Sequence, residues 1–313
     1  MLNYFLKRLL QLIPVLVGVS IVVFLMIYLI PGDAAEVIGG PTATAEEITN
    51  IRVKLGLDRP MHEQYFRYIS GVLKGDLGYS FQTGQAVSEA IETRYANTFS
   101  LAIFSVLIAA VIGVCAGIIA AIKQNSWFDY LSMSIATLGI SAPTFWIGLL
   151  LIIVFCVKLK VLNISGFNGQ IWTREGFVTM ILPAATLGFN SAAMIARMTR
   201  SSVLEIIHQD YIHTARAKGL NERIVVLKHA LKNALIPIVT VIGVNFGALL
   251  GGTVVVESVF AINGIGRLMV QAINARDFPM VQGTVLVVAS TFVLINLLTD
   301  ILYAVIDPRI SYK

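Results

Sequence analysis

Six stretches of this chain carry no charged residue: 9–32, 95–122, 130–157, 176–196, 233–256 and 278–299. Each is at least 21 residues long and built mostly from Leu, Ile, Val, Ala, Phe and Gly. About 20 apolar residues in a helix cross a bilayer core of ~30 Å. Lipid offers backbone groups no hydrogen-bond partner, so each stretch is predicted helical despite its β-branched residues. Composition agrees: 13% of the 313 residues are charged and the mean hydropathy is +0.80, where a soluble domain carries about 25% charge. A soluble protein with six buried helices would need a polar exterior that this chain lacks. The expectation is an all-α integral membrane protein with six transmembrane helices.

Lys7 and Arg8 precede the first stretch as they would in a signal peptide. The apolar run is longer than the roughly 7–15 residues of a signal sequence, so it is read as an uncleaved first span. Cys115 and Cys156 both lie inside spans and suggest no disulfide framework. Six spans put both termini on one side. Setting aside the long loop 33–94, which counts little in the positive-inside rule, that side carries twelve Lys/Arg against five opposite. The N and C termini are therefore expected in the cytoplasm, and the net charge of +5 reads as topology, with no nucleic-acid partner implied.

The chain divides into residues 1–32 (N terminus and first span), an external loop 33–94, and a core 95–313 that holds the other five spans. Thr44 or Thr42 followed by Glu46-Glu47 signals a helix start, predicting a short helix over about 45–55 that Gly56 stops. Pro60 can open a second, with Tyr65, Tyr68, Ile69 and Leu73 at helical spacing. Gly243, Gly247 and Gly251 recur every fourth residue, as do Gly113 and Gly117, which suggests close helix packing. Pro143, Pro183 and Pro237 can kink or break their spans.

No motor is written in this chain. Gly-Lys occurs nowhere, so a phosphate-binding loop is excluded, and no HExxH, CxxC or GxSxG pattern appears. No catalytic residue, metal site or bound cofactor is expected. None of the four histidines lies in a span. The span cores contain no ionisable residue that would mark a proton relay, and Glu257 stands at an edge. The uncharged polar residues Ser141, Thr144, Asn190, Ser191, Asn245 and Asn296 are candidates for a translocation path. Each is equally able to hydrogen-bond a neighbouring helix. A carrier driven by its own ion gradient is disfavoured, and energy is expected from outside the chain.

The segment between the fourth and fifth spans, 197–232, contains Asp210-Tyr211-Ile212-His213-Thr214-Ala215-Arg216-Ala217-Lys218-Gly219. Asp210 is a good N-cap, Gly219 fits a left-handed closing residue, and Lys218 suits the negative helix end. Asn221 then caps a second helix running toward Pro237. This predicts a rigid elbow whose small residues Thr214, Ala215 and Ala217 slide into a groove on another protein, with Arg216 and Lys218 meeting an acidic rim. A basic loop obeying the positive-inside rule explains the charges but not the caps. A helix-turn-helix DNA reader fits poorly between two short membrane tethers.

Residues 210–237, DYIHTARAKGLNERIVVLKHALKNALIP, resemble the cytoplasmic "EAA…G" loop of permease subunits of bacterial ABC importers. The resemblance covers nearly the whole chain: the MLNYFLKRLLQLIPVL start, LGLDRPMHEQYFRYISGVLKGDLGYSF, ISAPTFWIGLLLI, VVVESVFAINGIGRL and the IDPRISYK ending. The peptide/nickel class is nearest, B-type, with dipeptide and glutathione permeases closest and oligopeptide or nickel/metallophore systems as alternatives. The resemblance implies a type I importer (MetI-like) fold in the bacterial inner membrane. It also implies a homologous second permease, two ABC ATPase subunits that use ATP and Mg, and an extracytoplasmic substrate-binding protein. Residues 210–219 would be the coupling helix on an ATPase. Glu257, Asn263, Gly264 and Gly266 would belong to an external gate that meets the binding protein. The family's Glu-Ala-Ala stands here as His213-Thr214-Ala215, and its Trp-Pro-Gly-Leu-Gly as Ile262-Asn263-Gly264-Ile265-Gly266. An ion-coupled transporter and a non-transporting scaffold are the other function classes open to such a chain.

Overall fold

The computed structural model describes residues 2–29, 34–40, 42–162 and 173–306. It is helical throughout those segments apart from turns and one isolated bridge, Tyr79 with Ala86. Helix α1 is Leu2–Leu29, and α2 (Ala34–Gly39), α3 (Ala45–Leu55) and α4 (Met61–Leu73) form a cap. Next come α5 (Val87–Ile122), α6 (Trp127–Ser141) and α7 (Thr144–Leu151), which continues as a π-helical stretch Ile152–Lys158. Helix α8 is Arg174–Ile207, α9 is Asp210–Ala217, and α10 (Glu222–Ile224) runs through a π-helical stretch Val225–Ala230 into α11 (Leu231–Gly252). Helices α12 (Val254–Val259), α13 (Ile265–Asn274) and α14 (Phe278–Ile306) complete the order.

Among the described residues, five helices are long and apolar enough to cross a membrane: α1, α5, α8, α11 and α14. The third expected span, 130–157, is not one straight helix. It breaks into α6 and α7, bent by 109°. Pro143 lacks an amide hydrogen and forces the preceding residue out of helical geometry, so Ala142 sits at φ −77°, ψ 136°. Pro183 and Pro237, by contrast, lie inside unbroken helices. The broken pair still runs along α8 from one end to the other. Asp129 at its start is ion-paired to Arg200 of α8, while Ile152 near its end packs with Met180 and Leu182 of α8. Those two sites lie about 30 Å apart along α8 at 1.5 Å per residue. Counted as one, the bent pair brings the candidate spans among the described residues to six, and α1 is tied to α14 where Arg8 pairs with Asp300 at 3.1 Å.

Helices α5 and α8 overrun the charge-free stretches that announced them, beginning at Val87 instead of 95 and ending at Ile207 instead of 196. At 36 and 34 residues they extend roughly 50 Å and project beyond a 30 Å slab, where charged residues are solvated. They are also the closest pair. A Cβ on Gly113 would lie 2.8 Å from the Ala192 carbonyl oxygen, and one on Gly117 would lie 2.6 Å from that of Ala196. Only glycine lets the two backbones approach this far. The second stripe splits: Gly243 and Gly247 face Thr299 and Phe292 of α14, whereas a Cβ on Gly251 would meet no neighbouring side chain or helix within 4 Å.

The cap follows its sequence signals. Thr44 accepts from the Glu47 amide while the Glu47 carboxylate accepts from the Thr44 amide, a complete capping box, and Gly56 closes α3 at φ 70°. Pro60 opens α4. Tyr65 bonds the Ser20 hydroxyl of α1 at 2.9 Å and packs edge-on to Phe24. Burial pushes the Tyr68 hydroxyl up to about 12. The link into α5 is pinned by buried Asp277, which accepts from the Ser80 hydroxyl and, at 3.2 Å, from the Phe81 amide.

Candidate functional site

The expected elbow forms between α8 and α11. Its short helix α9 spans Asp210–Ala217, and Gly219 closes it at φ 76°. The N-cap is Gln209, extended at φ −78°, ψ 146°, with Asp210 already in the first turn. Asp210 therefore favours the helix through its charge at the positive end, not through a capping bond.

Helix α9 is seated by an apolar underside. Ile212 (0% exposed) and Ala215 (8%) pack with Val225 and Ala230, flanked by Ile206 and Ile207. Ala215 thus faces inward, which corrects the expectation that it enters a partner's groove: the 3.6-residue period puts 212 and 215 on one face and 210, 213, 214 and 217 on the other. Asp210, His213, Thr214 and Ala217 are exposed, as are Tyr211 and Lys218. Arg216, expected to meet an acidic rim on a partner, is paired within the elbow itself. Its Nη2 and Nε donate to the Glu222 carboxylate at 2.6 and 3.1 Å. This bond holds the Glu222 carboxyl below its usual range. Tyr211 accepts from Asn233 of α11 at 2.8 Å. The elbow is one packed unit, joined to the end of α8 and the start of α11, with a small polar face turned outward.

Beside it, Asp129 is 2% exposed and takes a bidentate ion pair from Arg200 at 2.6 and 2.7 Å. The Asn125 amide adds a third bond at 3.0 Å. The pair fixes the start of α6 to α8. Sequence reading missed it, because seventy residues separate the partners.

The path candidates fall into two groups. Ser141 and Thr144 flank the α6–α7 break, and Asn190 donates to the carbonyls of Gly139 and Ile140 at 3.1 and 3.4 Å. Asn190 therefore compensates backbone groups freed by the break. Asn245 donates to its own helix at Val241 (2.8 Å) and to the Met194 sulfur of α8 (3.5 Å). Asn296 lies near Gly247, and Ser191 is buried within α8.

At the opposite end, α12, a loop at 260–264 and α13 form the second expected site. Asn263 is exposed, and α5 holds it: Arg94 Nε donates to its side-chain oxygen at 3.2 Å and Asn97 to its carbonyl at 2.9 Å. Gly264 and Gly266 are buried. Glu257 is 0% exposed, so it is an internal group and not a contact surface. Its Oε1 accepts from Thr98 (2.7 Å) and Thr253 (3.0 Å), and its Oε2 from the Arg267 amide (2.8 Å).

Comparison with known proteins identifies the family. Residues 113–312 match the family described as "Binding-protein-dependent transport system inner membrane component", and residues 1–102 match the N-terminal component of the same systems. The chain is 48% identical over its full length to "Glutathione transport system permease protein GsiC" of Escherichia coli (strain K12), covering 100% of both chains. The Salmonella paratyphi A protein of the same name gives the same identity and coverage. Among solved structures, inward-facing forms of the MetNI methionine ABC transporter share the fold. Two align with TM-scores of 0.53 and 0.56 at 21% identity, covering 67% and 69% of this chain and 93% and 95% of theirs.

Proposed function

This chain belongs to the family of binding-protein-dependent transport system inner membrane components, a multi-pass permease subunit of ABC importers, and we propose that it imports glutathione or a closely related short peptide. Full-length identity of 48% to glutathione permeases carries the substrate reading. Nothing in the chain supplies a motor, so ATP hydrolysis with Mg is assigned to two separate ATPase subunits. A second, homologous permease completes the path, and an extracytoplasmic binding protein delivers the substrate.

In this reading the elbow faces the cytoplasm. The exposed face Asp210–His213–Thr214–Ala217 enters a groove of one ATPase. The apolar seat beneath it and the Arg216–Glu222 and Tyr211–Asn233 bonds make the elbow a lever. ATP-driven closure of the ATPases then turns α8 and α11 together, and the path alternates between its two openings as rigid bodies rock.

Proteoliposomes holding the complete transporter test this. Uptake of labelled glutathione is expected to require ATP, the ATPase subunits and the binding protein. Uptake that persists without the ATPases and collapses with the proton gradient would contradict it.

A further inference from the structure

Glu257, too deeply buried to be the contact surface expected of it, is held on every side. It sits at 0% exposure with two hydroxyls and one amide donating to its carboxylate. Thr98 extends the arrangement, because its hydroxyl donates to Glu257 and accepts from the Ile265 amide at 2.8 Å. Glu257 and Thr98 thereby satisfy two orphan amides of the first turn of α13, and the carboxylate lies at that helix's positive end. Two glycines are shaped around it. A Cβ on Gly264 would collide with the Glu257 carboxyl carbon, and one on Gly266 would lie 2.9 Å from Oε2. A buried carboxylate is costly unless its hydrogen bonds are made, and here three donors meet it.

The cluster joins three elements: α12 through Glu257, α13 through its amides, and α5 through Thr98. The same helix α5 holds exposed Asn263 through Arg94 and Asn97. Helix α5 then meets α8 at Gly113 and Gly117 in backbone contact, and α8 ends at Ile207, beside the elbow. We infer that Glu257 is a positioning residue: with Thr98 it locks the 260–264 loop and α13 onto α5. Whatever engages Asn263 is thereby transmitted to the α5–α8 pair instead of being absorbed by a yielding loop. The inference rests on the importer reading, in which the engaging partner is the loaded binding protein.

The test uses the complete transporter in nanodiscs and compares ATPase turnover alone with turnover stimulated by loaded binding protein. Thr98→Val removes the relay hydroxyl, Thr98→Ser keeps it, and Glu257→Gln places an amide donor against existing donors. Thr98→Val and Glu257→Gln are expected to assemble and to keep basal turnover, yet to lose stimulation at least ~5-fold, the lower range of a coupling between sites. Thr98→Ser is expected to keep it. Wild-type stimulation in both disrupted variants would overturn the inference. So would an equal fall of basal and stimulated turnover, which a purely structural role produces. A wild-type complex that ignores its binding protein would overturn the importer reading, and this inference with it.

Discussion

Two short helices at opposite ends of the bundle, α9 and α13, are seated by opposite chemistry. Helix α9 rests on an apolar underside, Ile212 and Ala215 against Val225 and Ala230, with its polar bonds at the rim. Helix α13 also packs apolar side chains, Leu268 and Ala272, but its first turn is set by a buried carboxylate. An apolar seat is non-directional and leaves the polar face free for another protein. A buried carboxylate is directional, consumes every donor around it and leaves nothing to offer. The difference separates the part proposed to dock from the part inferred to brace, and it can be probed one residue at a time.

The largest effect is expected within α9 itself. Ala215→Glu places an unpaired carboxylate in the apolar seat, which costs about 3–5 kcal/mol and should lower the melting temperature of the purified transporter. Ala217→Glu, on the exposed face two residues away, should leave melting unchanged within about 0.5 kcal/mol. It should instead abolish co-purification of the ATPase subunits. Equal destabilisation by both would mean that α9 has no free face.

The brace should break by overpacking. Gly264→Ala, which drives a methyl group into Glu257, is expected to cost about 1–3 kcal/mol. Gly251→Ala, where a Cβ would meet no neighbouring side chain or helix within 4 Å, should instead gain about 0.5–1 kcal/mol from helix propensity. Thermal melts of the two variants check the contrast, and a neutral Gly264→Ala would deny that Glu257 is rigidly held.

The rim of α9 should give the smallest effect. The Glu222 carboxyl is lowered by the Arg216 bond, and the side chains are 53% and 33% exposed. An exposed pair of this kind contributes about 0.5 kcal/mol and is screened by salt. Because the folded value lies below the ordinary 4.5, the contribution is present above that value and is lost as pH falls through the depressed one. The stability difference between wild type and Glu222→Gln should be constant from pH 8 to ~5 and vanish in more acid solution. A difference that grows on acidification contradicts the pairing.

Much of this was legible along the chain. Charge-free runs announced every candidate span among the described residues, because lipid excludes charge from helices it surrounds. The capping box at Thr44 and the left-handed glycines 56 and 219 were readable because caps are local chemistry. What the runs could not give was the reach of α5 and α8, since charges are permitted once a helix leaves the slab. They also could not distinguish Pro143, which breaks its span, from Pro183 and Pro237, which do not. That outcome depends on whether neighbours such as Asn190 compensate the freed carbonyls. Glu257 looked like an edge residue only because a charge-free run stopped before it. Its partner Thr98 is 159 positions away, and the signal that could have exposed it was the pair Gly264 and Gly266 downstream. Ala215 was assigned to the wrong face because its seat, Val225 and Ala230, lies beyond the glycine turn.

The central claim is that the outward face of α9 meets the ATPase while the opposite end of the molecule meets the binding protein. Cysteine cross-linking in membranes tests it most directly, with Cys115 and Cys156 first replaced by alanine. Thr214→Cys on α9 is expected to cross-link to the ATPase subunit, with a yield that changes on adding ATP. Phe66→Cys, 66% exposed on the cap, is expected to cross-link only to the binding protein. The exchange of these two patterns, Phe66→Cys to the ATPase and Thr214→Cys to the binding protein, would contradict the account.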